Sequence, residues 1–424
     1  MKVLLVGNGG REHALAWKIK QSDKVDKIYC APGNGGIQDL AECVNIPVTD
    51  MKGLVQFAQK NKVDLTIAGP ELPLTLGVVD HFQQAGLRIF GPSKAAAEIE
   101  GSKVFTKDLM AKYNIPSAKY QNFDNAEDAI QYIGNNSPPF VLKADGLAAG
   151  KGVIICMSRA EAYDGIEQIM QDKKFGEAGN RMVIEDFMEG EEASVLCITD
   201  GETIITLPSA QDHKAIFEGD KGPNTGGMGA YSPAPVITSE MGKIVYDKIL
   251  KPTINAMEKE GRPYRGVLYA GLMITSEGPK VVEFNCRFGD PEIQAIVPLI
   301  DSDIIDLMNG AIDGNLKDID IRIKNESSVC VVIASGGYPG SYEKGKVIYG
   351  AEKRYPETVI FHAGTDFVKN NYVTSGGRVL GVTSTGNTIT EAIRTAYHAV
   401  GKITFDGAYY RRDIGHRALK RNES

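Results

Sequence analysis

The sequence has few cysteines, no long apolar run and no excess of positive charge, and each shortage excludes something. The six cysteines, Cys30, Cys43, Cys156, Cys197, Cys286 and Cys330, are scattered and form no C-x-x-C pair. That spacing argues against a disulfide framework or a zinc site and reads as reduced, mostly buried thiols of a cytoplasmic protein. No stretch approaches the roughly 20 apolar residues of a membrane span, and the apolar start stops at Gly7-Asn8, short of a signal-peptide core. With 47 Lys and Arg against 54 Asp and Glu, the formal net charge of −7 lacks the basic surface that polyphosphate backbones need. Nucleic acid and membrane are therefore not expected partners, whereas a small anion held by a few local cations is. Heptads, low-complexity tracts and short repeats are absent too.

What is present is ordinary globular composition, 42% hydrophobic and 24% charged, over 424 residues. At about 100–200 residues per domain, that length predicts two to four domains. Val3–Val6, Lys27–Cys30 and Leu65–Ala68 read as strands alternating with helical periods, and glycine loops follow them. This β-α-β-α-β order predicts a doubly wound parallel sheet whose ligands bind at the strand ends. A helical region follows from 93 to 115. Strands Phe140–Ala144 and Val153–Cys156 around a glycine loop, a helix near 160–170 and a strand Met182–Phe187 form a small α+β module. Residues 190–320 read as a mixed sheet with strands Ser194–Ile198, Val267–Ile274 and Val281–Asn285, and 219–235 as a long irregular loop. A new block of strands begins at Val329–Ala334.

Several runs carry chemistry. Gly7-Asn8-Gly9-Gly10-Arg11-Glu12 looks like a dinucleotide fingerprint but fails it. Glu12 stands at the third glycine position, and no acidic residue follows Cys30 to hold a ribose. The loop reads either as a structural turn or as an anion site at a helix start. The run from Lys143 through Asp145, Gly146, Gly150, Lys151 and Gly152 suits a flap whose amides cover a polyphosphate. Val153 stands where a phosphate-binding loop would carry Ser or Thr, so that loop type is excluded. Lys107, on the helix before the module, reads either as a solvated lysine or as a second cation in reach of a phosphate. Glu185, Phe187 and Glu192 frame an acidic turn that reads either as surface or as a hinge meeting a nucleoside. Strand alternation puts Glu283, Asn285 and Arg287 on one face, with Val282, Phe284 and Cys286 on the other. A carboxylate beside an amide oxygen is a hard-oxygen pair suited to magnesium. Asp212-His213-Lys214 opens the loop to Gly226-Gly227-Met228, where backbone can approach a small ligand. His213 reads as a packed or positioning residue more than a base.

In order along the chain, Lys107, Lys143, the glycine flap, Glu185 and Glu283-Phe284-Asn285 resemble the ATP-grasp ligases. Within them, Arg287-Phe288-Gly289-Asp290-Pro291-Glu292 with Gln294 is similar to the signature of the glycinamide ribonucleotide synthetases. Gly7–Ala14, Pro32-Gly33-Asn34, Gly69-Pro70-Glu71, Gln211–Lys214 and Asp413-Ile414-Gly415 extend the likeness over the whole chain. The resemblance implies an α/β chain: a doubly wound N-terminal domain over 1–102, an ATP-grasp domain over 103–320 with a lid module over 121–190, and a C-terminal α+β domain over 321–424.

It implies an ATP-dependent ligase of de novo purine biosynthesis that joins glycine to 5-phosphoribosylamine through glycyl phosphate. ATP would be held by Lys107, Lys143, Gly146, Gly150, Lys151, Gly152, Glu185, Phe187 and Glu192, and Mg2+ or Mn2+ by Glu283 and Asn285. Arg287 and Asp290 would lie at the glycine and acyl-phosphate position as catalytic residues. The remaining substrate contacts would come from Gly9, Gly10, Arg11, Glu12, Asn34, Gly35, Gly36, Glu71, Asp212, Lys214, Gly226, Gly227 and Met228. The superfamily commonly adds an acidic ligand from the preceding strand, and Val267–Ile274 offers none. A monomer or weak dimer is expected. A bicarbonate-using ligase, an NAD-linked oxidoreductase and a non-catalytic nucleotide sensor are the rival readings.

Overall fold

The computed structural model describes residues 1–147 and 152–422. Its first unit is a parallel five-stranded sheet in the order Glu42–Cys43, Lys27–Pro32, Lys2–Gly7, Leu65–Ala68, Ile89–Phe90. Val3 to Val6 are all fully buried, as a central parallel strand covered on both faces requires. The strand order reverses beside Lys2–Gly7, so the loops after Gly7, Pro32 and Ala68 open onto one crevice.

The helical region splits in two. Ser93 Oγ caps Lys94–Gly101 and Ser102 Oγ caps Lys103–Lys112, each accepting from the amide three residues on. The module expected to act as a lid is an antiparallel sheet in the order Tyr120–Phe123, Met182–Asp186, Phe140–Ala144, Val153–Cys156, backed by the helices Ala126–Asn135 and Arg159–Ile166. Its core of Phe123, Ile133, Phe140, Leu142, Ile166 and Ile184 is separate from the others.

Residues 190–320 depart from the expected mixed sheet. Ile204–Thr206, Glu191–Thr199, Gly266–Thr275 and Gly278–Asn285 are antiparallel throughout. Leu196, Ile198, Val267 and Tyr269 of this sheet share one core with Val3, Leu5 and Leu15 of the first unit, so the two are welded together.

The segment 219–235 is not an irregular loop. It holds one arm of a hairpin, Ala215–Phe217 with Lys221–Asn224, and the strand Gly229–Ser232. Glycine-rich composition hides these strands, because their partners are remote: Gly229–Ser232 pairs with Gln211–Asp212 and with Ser327–Ala334. The C-terminal sheet therefore runs Gln211–Asp212, Gly229–Ser232, Ser327–Ala334, Arg378–Gly386, Thr358–His362, with Ile389–Val400 packed on it.

Candidate active site

Cations from three elements converge where the lid faces the central sheet. Lys103 and Lys107 stand one turn apart on the same helix face. Lys143 comes from the lid, whose Phe140, Leu142 and Ala144 fill the lid core and so turn Lys143 to the cleft. Lys143 pairs in register with Val183, which places Glu185 diagonally across from it. Glu185 Oε1 lies 2.8 Å from Lys143 Nζ and Oε2 lies 3.0 Å from Lys107 Nζ, with all three side chains buried. Burial lowers the Lys107 ammonium to about 8, against the pull of Glu185. Lys143 also donates to the Val282 carbonyl at 2.9 Å, tying the lid to the strand that carries Glu283.

The Glu283 carboxylate makes no direct hydrogen bond or ion pair among the described residues. Burial pushes its carboxyl up, but Lys214, Lys143, Lys103 and Arg287 outweigh burial and hold it below the usual range. Gly271 stands opposite, and a Cβ there would come within 3.3 Å of Glu283 Cγ, so that glycine leaves room for the carboxylate. Asn285 is two residues along the same face.

Arg287 pairs with two carboxylates. Its Nε donates to Glu71 Oε2 at 3.1 Å, Nη1 to the Phe288 carbonyl at 3.2 Å, and Nη2 to Asn285 Oδ1 at 3.2 Å while lying 3.0 Å from Glu100. Glu71 and Glu100 thus share the guanidinium with the Asn285 amide oxygen, and its charge still reaches Glu283.

Lys214 Nζ lies 2.6 Å from Glu192 Oε2 and raises no conflict with Glu283, whose charge it also faces. Asp212 is buried beside Lys214, Glu292 and Glu192, and burial lifts its carboxyl to about 7. Tyr269 Oη donates to Glu292 Oε1 at 2.9 Å and meets Ser194 Oγ at 2.8 Å, which fixes the start of the signature helix to the central sheet. His213 points elsewhere. Its Nε2 accepts from the Gly415 amide at 3.4 Å, and burial lowers the ring to about 3, so it is a neutral, packed acceptor.

Asp290 joins all three domains. Its Oδ2 accepts from the Arg11 amide at 3.3 Å, Oδ1 from Gln294 at 2.8 Å, and Arg378 Nη1 lies 3.3 Å from Oδ1. The N-terminal loops are built largely for support. Glu12 accepts from the Gly9 amide at 2.6 Å, half of a capping box, and from Arg11 Nε at 2.6 Å. A Cβ at Gly69 would sit 2.2 Å from Glu12 Oε1, so that glycine leaves room for the buried glutamate. A Cβ at Gly10 would meet Gln294 at 2.6 Å. Asn34 donates to the carbonyls of Asn8 and His362 at 2.9 Å each, and Gly35 and Gly36 pack on Asp366 and His362. Met228 leaves the site altogether: its side chain lies in the C-terminal core and its amide and carbonyl are both bonded.

Gly146 and Gly152 flank the flap, while Gly150 and Lys151 lie outside the described residues. Phe187 is half-buried just past the strand Met182–Asp186, beside Glu185. No cluster of three or more His, Cys, Asp or Glu placed to hold a metal is found among the described residues.

Family models for phosphoribosylglycinamide synthetase match this chain in three pieces: the N domain over 1–100, the ATP-grasp (A) domain over 101–293 and the C domain over 328–417. The chain belongs to the phosphoribosylglycinamide synthetase family. A phosphoribosylamine–glycine ligase of Caldanaerobacter subterraneus is 50% identical over 414 residues, covering 98% of this chain and 99% of that one. The crystal structure of the Thermotoga maritima phosphoribosylamine–glycine ligase superposes with a TM-score of 0.85 at 34% identity, covering 98% of this chain and all of that one. A Campylobacter jejuni biotin carboxylase, TM-score 0.74 at 14% identity over 96% of this chain and 92% of that one, shares the fold.

Lys103 and Arg378 of this synthetase-family site escape sequence reasoning, and Asp145, read there only as part of the flap, proves to be its anchor. Lys103 donates to the Gly146 carbonyl at 2.8 Å and faces Glu283; its four-residue spacing from Lys107 was the available signal. Asp145 Oδ1 accepts from Ser102 Oγ at 2.9 Å and from the Val104 amide at 3.1 Å, clamping the flap root to a helix N-terminus. Arg378 follows Gly376-Gly377, a run that alone reads as a turn. It donates to the Gly226 carbonyl at 2.6 Å and the Asp290 carbonyl at 2.7 Å.

Proposed function

We propose that the protein condenses glycine with 5-phosphoribosylamine at the expense of ATP, giving glycinamide ribonucleotide, ADP and phosphate in purine biosynthesis. Full-length similarity to phosphoribosylamine–glycine ligases supports the reaction, and one observation carries the site: a carboxylate, Glu283, left without a direct partner among Lys103, Lys143, Lys214 and Arg287.

A carboxylate acylates poorly, because its leaving group would be oxide. Glycine is therefore phosphorylated by ATP, and the amine of phosphoribosylamine attacks the acyl carbon of glycyl phosphate and expels phosphate. Lys103, Lys107 and Lys143 bind and orient the nucleotide phosphates. Lys214 and Lys143 offset the charge that gathers on the transferred group, and fixed charges in a closed site act without reorganising. Glu192, released from Lys214, accepts from the nucleoside. Asp212 meets the glycine ammonium, and Asp290 with the Gly226-Gly227 loop, held by Arg378, borders the acceptor. Closing the lid on the central sheet keeps water from the acyl phosphate.

Mg2+ or Mn2+ fits this donor set: two oxygen ligands, Glu283 and an Asn285 amide oriented by Arg287, leave the rest of the shell to phosphate and water. When bound, the ion would supply further neutralisation of phosphate charge. No helix among the described residues is long and apolar enough to cross a membrane, and a cytoplasmic setting suits the substrates.

Coupled ADP detection with freshly made phosphoribosylamine, omitting each component in turn, tests the reading. ADP release needs glycine and the amine together, and oxygen label in the glycine carboxylate passes to inorganic phosphate. Turnover on bicarbonate, or unlabelled phosphate at full yield, would overturn it.

A further inference from the structure

Arg411 is a charged side chain with no exposed surface, far along the chain from the signature run. Its Nε and Nη2 donate to the two oxygens of Asp413 at 2.7 Å each. Nη2 also donates to Asp220 Oδ1 at 3.0 Å, and Nη1 to the Ala215 carbonyl at 3.0 Å. Asp413 Oδ2 accepts in addition from the Gly219 amide at 2.8 Å. Asp220 Oδ2 accepts from Arg417 Nη2 at 2.8 Å, and Arg417 Nη1 donates to the Asp212 carbonyl at 3.3 Å.

Apart from Asp413, every acceptor in this cluster lies between residues 212 and 220, on the segment and hairpin that flank Lys214. Neighbouring contacts act on the same stretch. The Gly415 amide donates to His213 Nε2 at 3.4 Å, and Tyr409 Oη donates to the Ile216 carbonyl at 2.9 Å. The residues on both sides of Lys214 are thus held from the C-terminal end of the chain, while its ammonium stays by Glu192, Asp212 and Glu283.

Burying a guanidinium between carboxylates contributes little net stability compared with apolar packing of the same volume. What such a cluster does supply is a fixed, planar geometry, because the Arg fork matches a carboxylate in one arrangement. Lys214 stands between the short strands Gln211–Asp212 and Ala215–Phe217, and its carbonyl accepts from Thr225. Displacement of about 1 Å in a charged group near the chemistry is enough to cost on the order of 100-fold in rate.

We propose that Arg411, with Asp413 and Asp220, is a positioning device of the ligase site, holding the backbone around Lys214 so that its ammonium remains between Glu192 and Glu283. This rests on the ligase reading. Arg411 touches no substrate and acts through Lys214.

Asp220→Asn is the mild test, since it leaves the Arg411–Asp413 pair in place. Arg411→Met and Arg411→Lys complete the set. Each full-length variant is checked by melting temperature, and its folded sites are counted by ATP-binding stoichiometry. We expect kcat per folded site to fall about 10-fold in Asp220→Asn and further in Arg411→Met, with the KM for ATP changed far less. Arg411→Lys, which keeps the charge without the fork, recovers part of the rate. A purely structural cluster predicts instead that lost activity follows the lost folded fraction, with kcat per site unchanged; that result would overturn the proposal. A wild-type chain that releases no ADP with glycine and phosphoribosylamine would bring down the ligase reading, and this inference with it.

Discussion

Lys107 Nζ lies 3.0 Å from Glu185 Oε2, a buried pair that joins a helix before the lid to a strand within it. Glu185 holds Lys143 with its other oxygen, so one carboxylate spaces the two cations proposed to bind phosphate. Glu185→Gln should cost about 3–5 kcal/mol by leaving buried ammonium groups short of counter-charge. Urea unfolding measures this, and a loss below 1 kcal/mol would show that the lysines find other partners.

The same pair sets a pH dependence. Lys107 titrates at about 8 in the folded chain against an ordinary 10.5, so the unfolded chain binds more protons between those values. Its contribution to stability therefore rises with pH across that window and is least favourable below it. Unfolding free energies at several pH values from 7.5 upward, compared with Lys107→Met, isolate the slope. Identical slopes in the two proteins would contradict the assignment.

Glu283→Gln should abolish turnover, by about 1,000-fold or more, with the fold intact, because the carboxylate has no structural partner to lose. Metal titration of the variant should show weakened dependence on added Mg2+. A rate near that of the wild type would remove the metal assignment.

Asp212 must be ionised to meet an ammonium group, and burial places its titration at about 7. The apparent glycine kcat/KM should rise with pH through that value and lose the step in Asp212→Asn. His213, lowered to about 3, is neutral throughout, so His213→Asn should leave the profile above pH 6 unchanged. A step that moves with His213 would reverse the two roles.

Arg378→Met should raise the KM for phosphoribosylamine by about 10- to 100-fold, the loss of two hydrogen bonds from a charged donor. ATP binding, measured calorimetrically, should be unaffected. Equal weakening of both ligands would place Arg378 in general domain packing.

Much of this was legible in the chain. The strands Phe140–Ala144 and Val153–Cys156 lie where period and glycine boundaries put them, and Glu283 with Asn285 shares a face as alternation requires. Strands at 215–232 were hidden, because remote pairing and not local propensity makes them. The partners of Arg287 were hidden for a related reason: Glu71 and Glu100 are distant in sequence, and nothing local announces that they pair with it. Lys103, Asp145 and Arg378 are ordinary surface residues until the fold brings Gly146, Ser102 and Asp290 to them.

The C-terminal sheet takes Gln211–Asp212 and Gly229–Ser232 from the middle of the chain. A fragment begun at residue 321 would thus present Ser327–Ala334 with one flank bare, a row of unpaired amides and carbonyls ready to recruit another copy. Gene splitting at that boundary should yield aggregates, whereas co-expression of both pieces gives the missing strands a chance to dock.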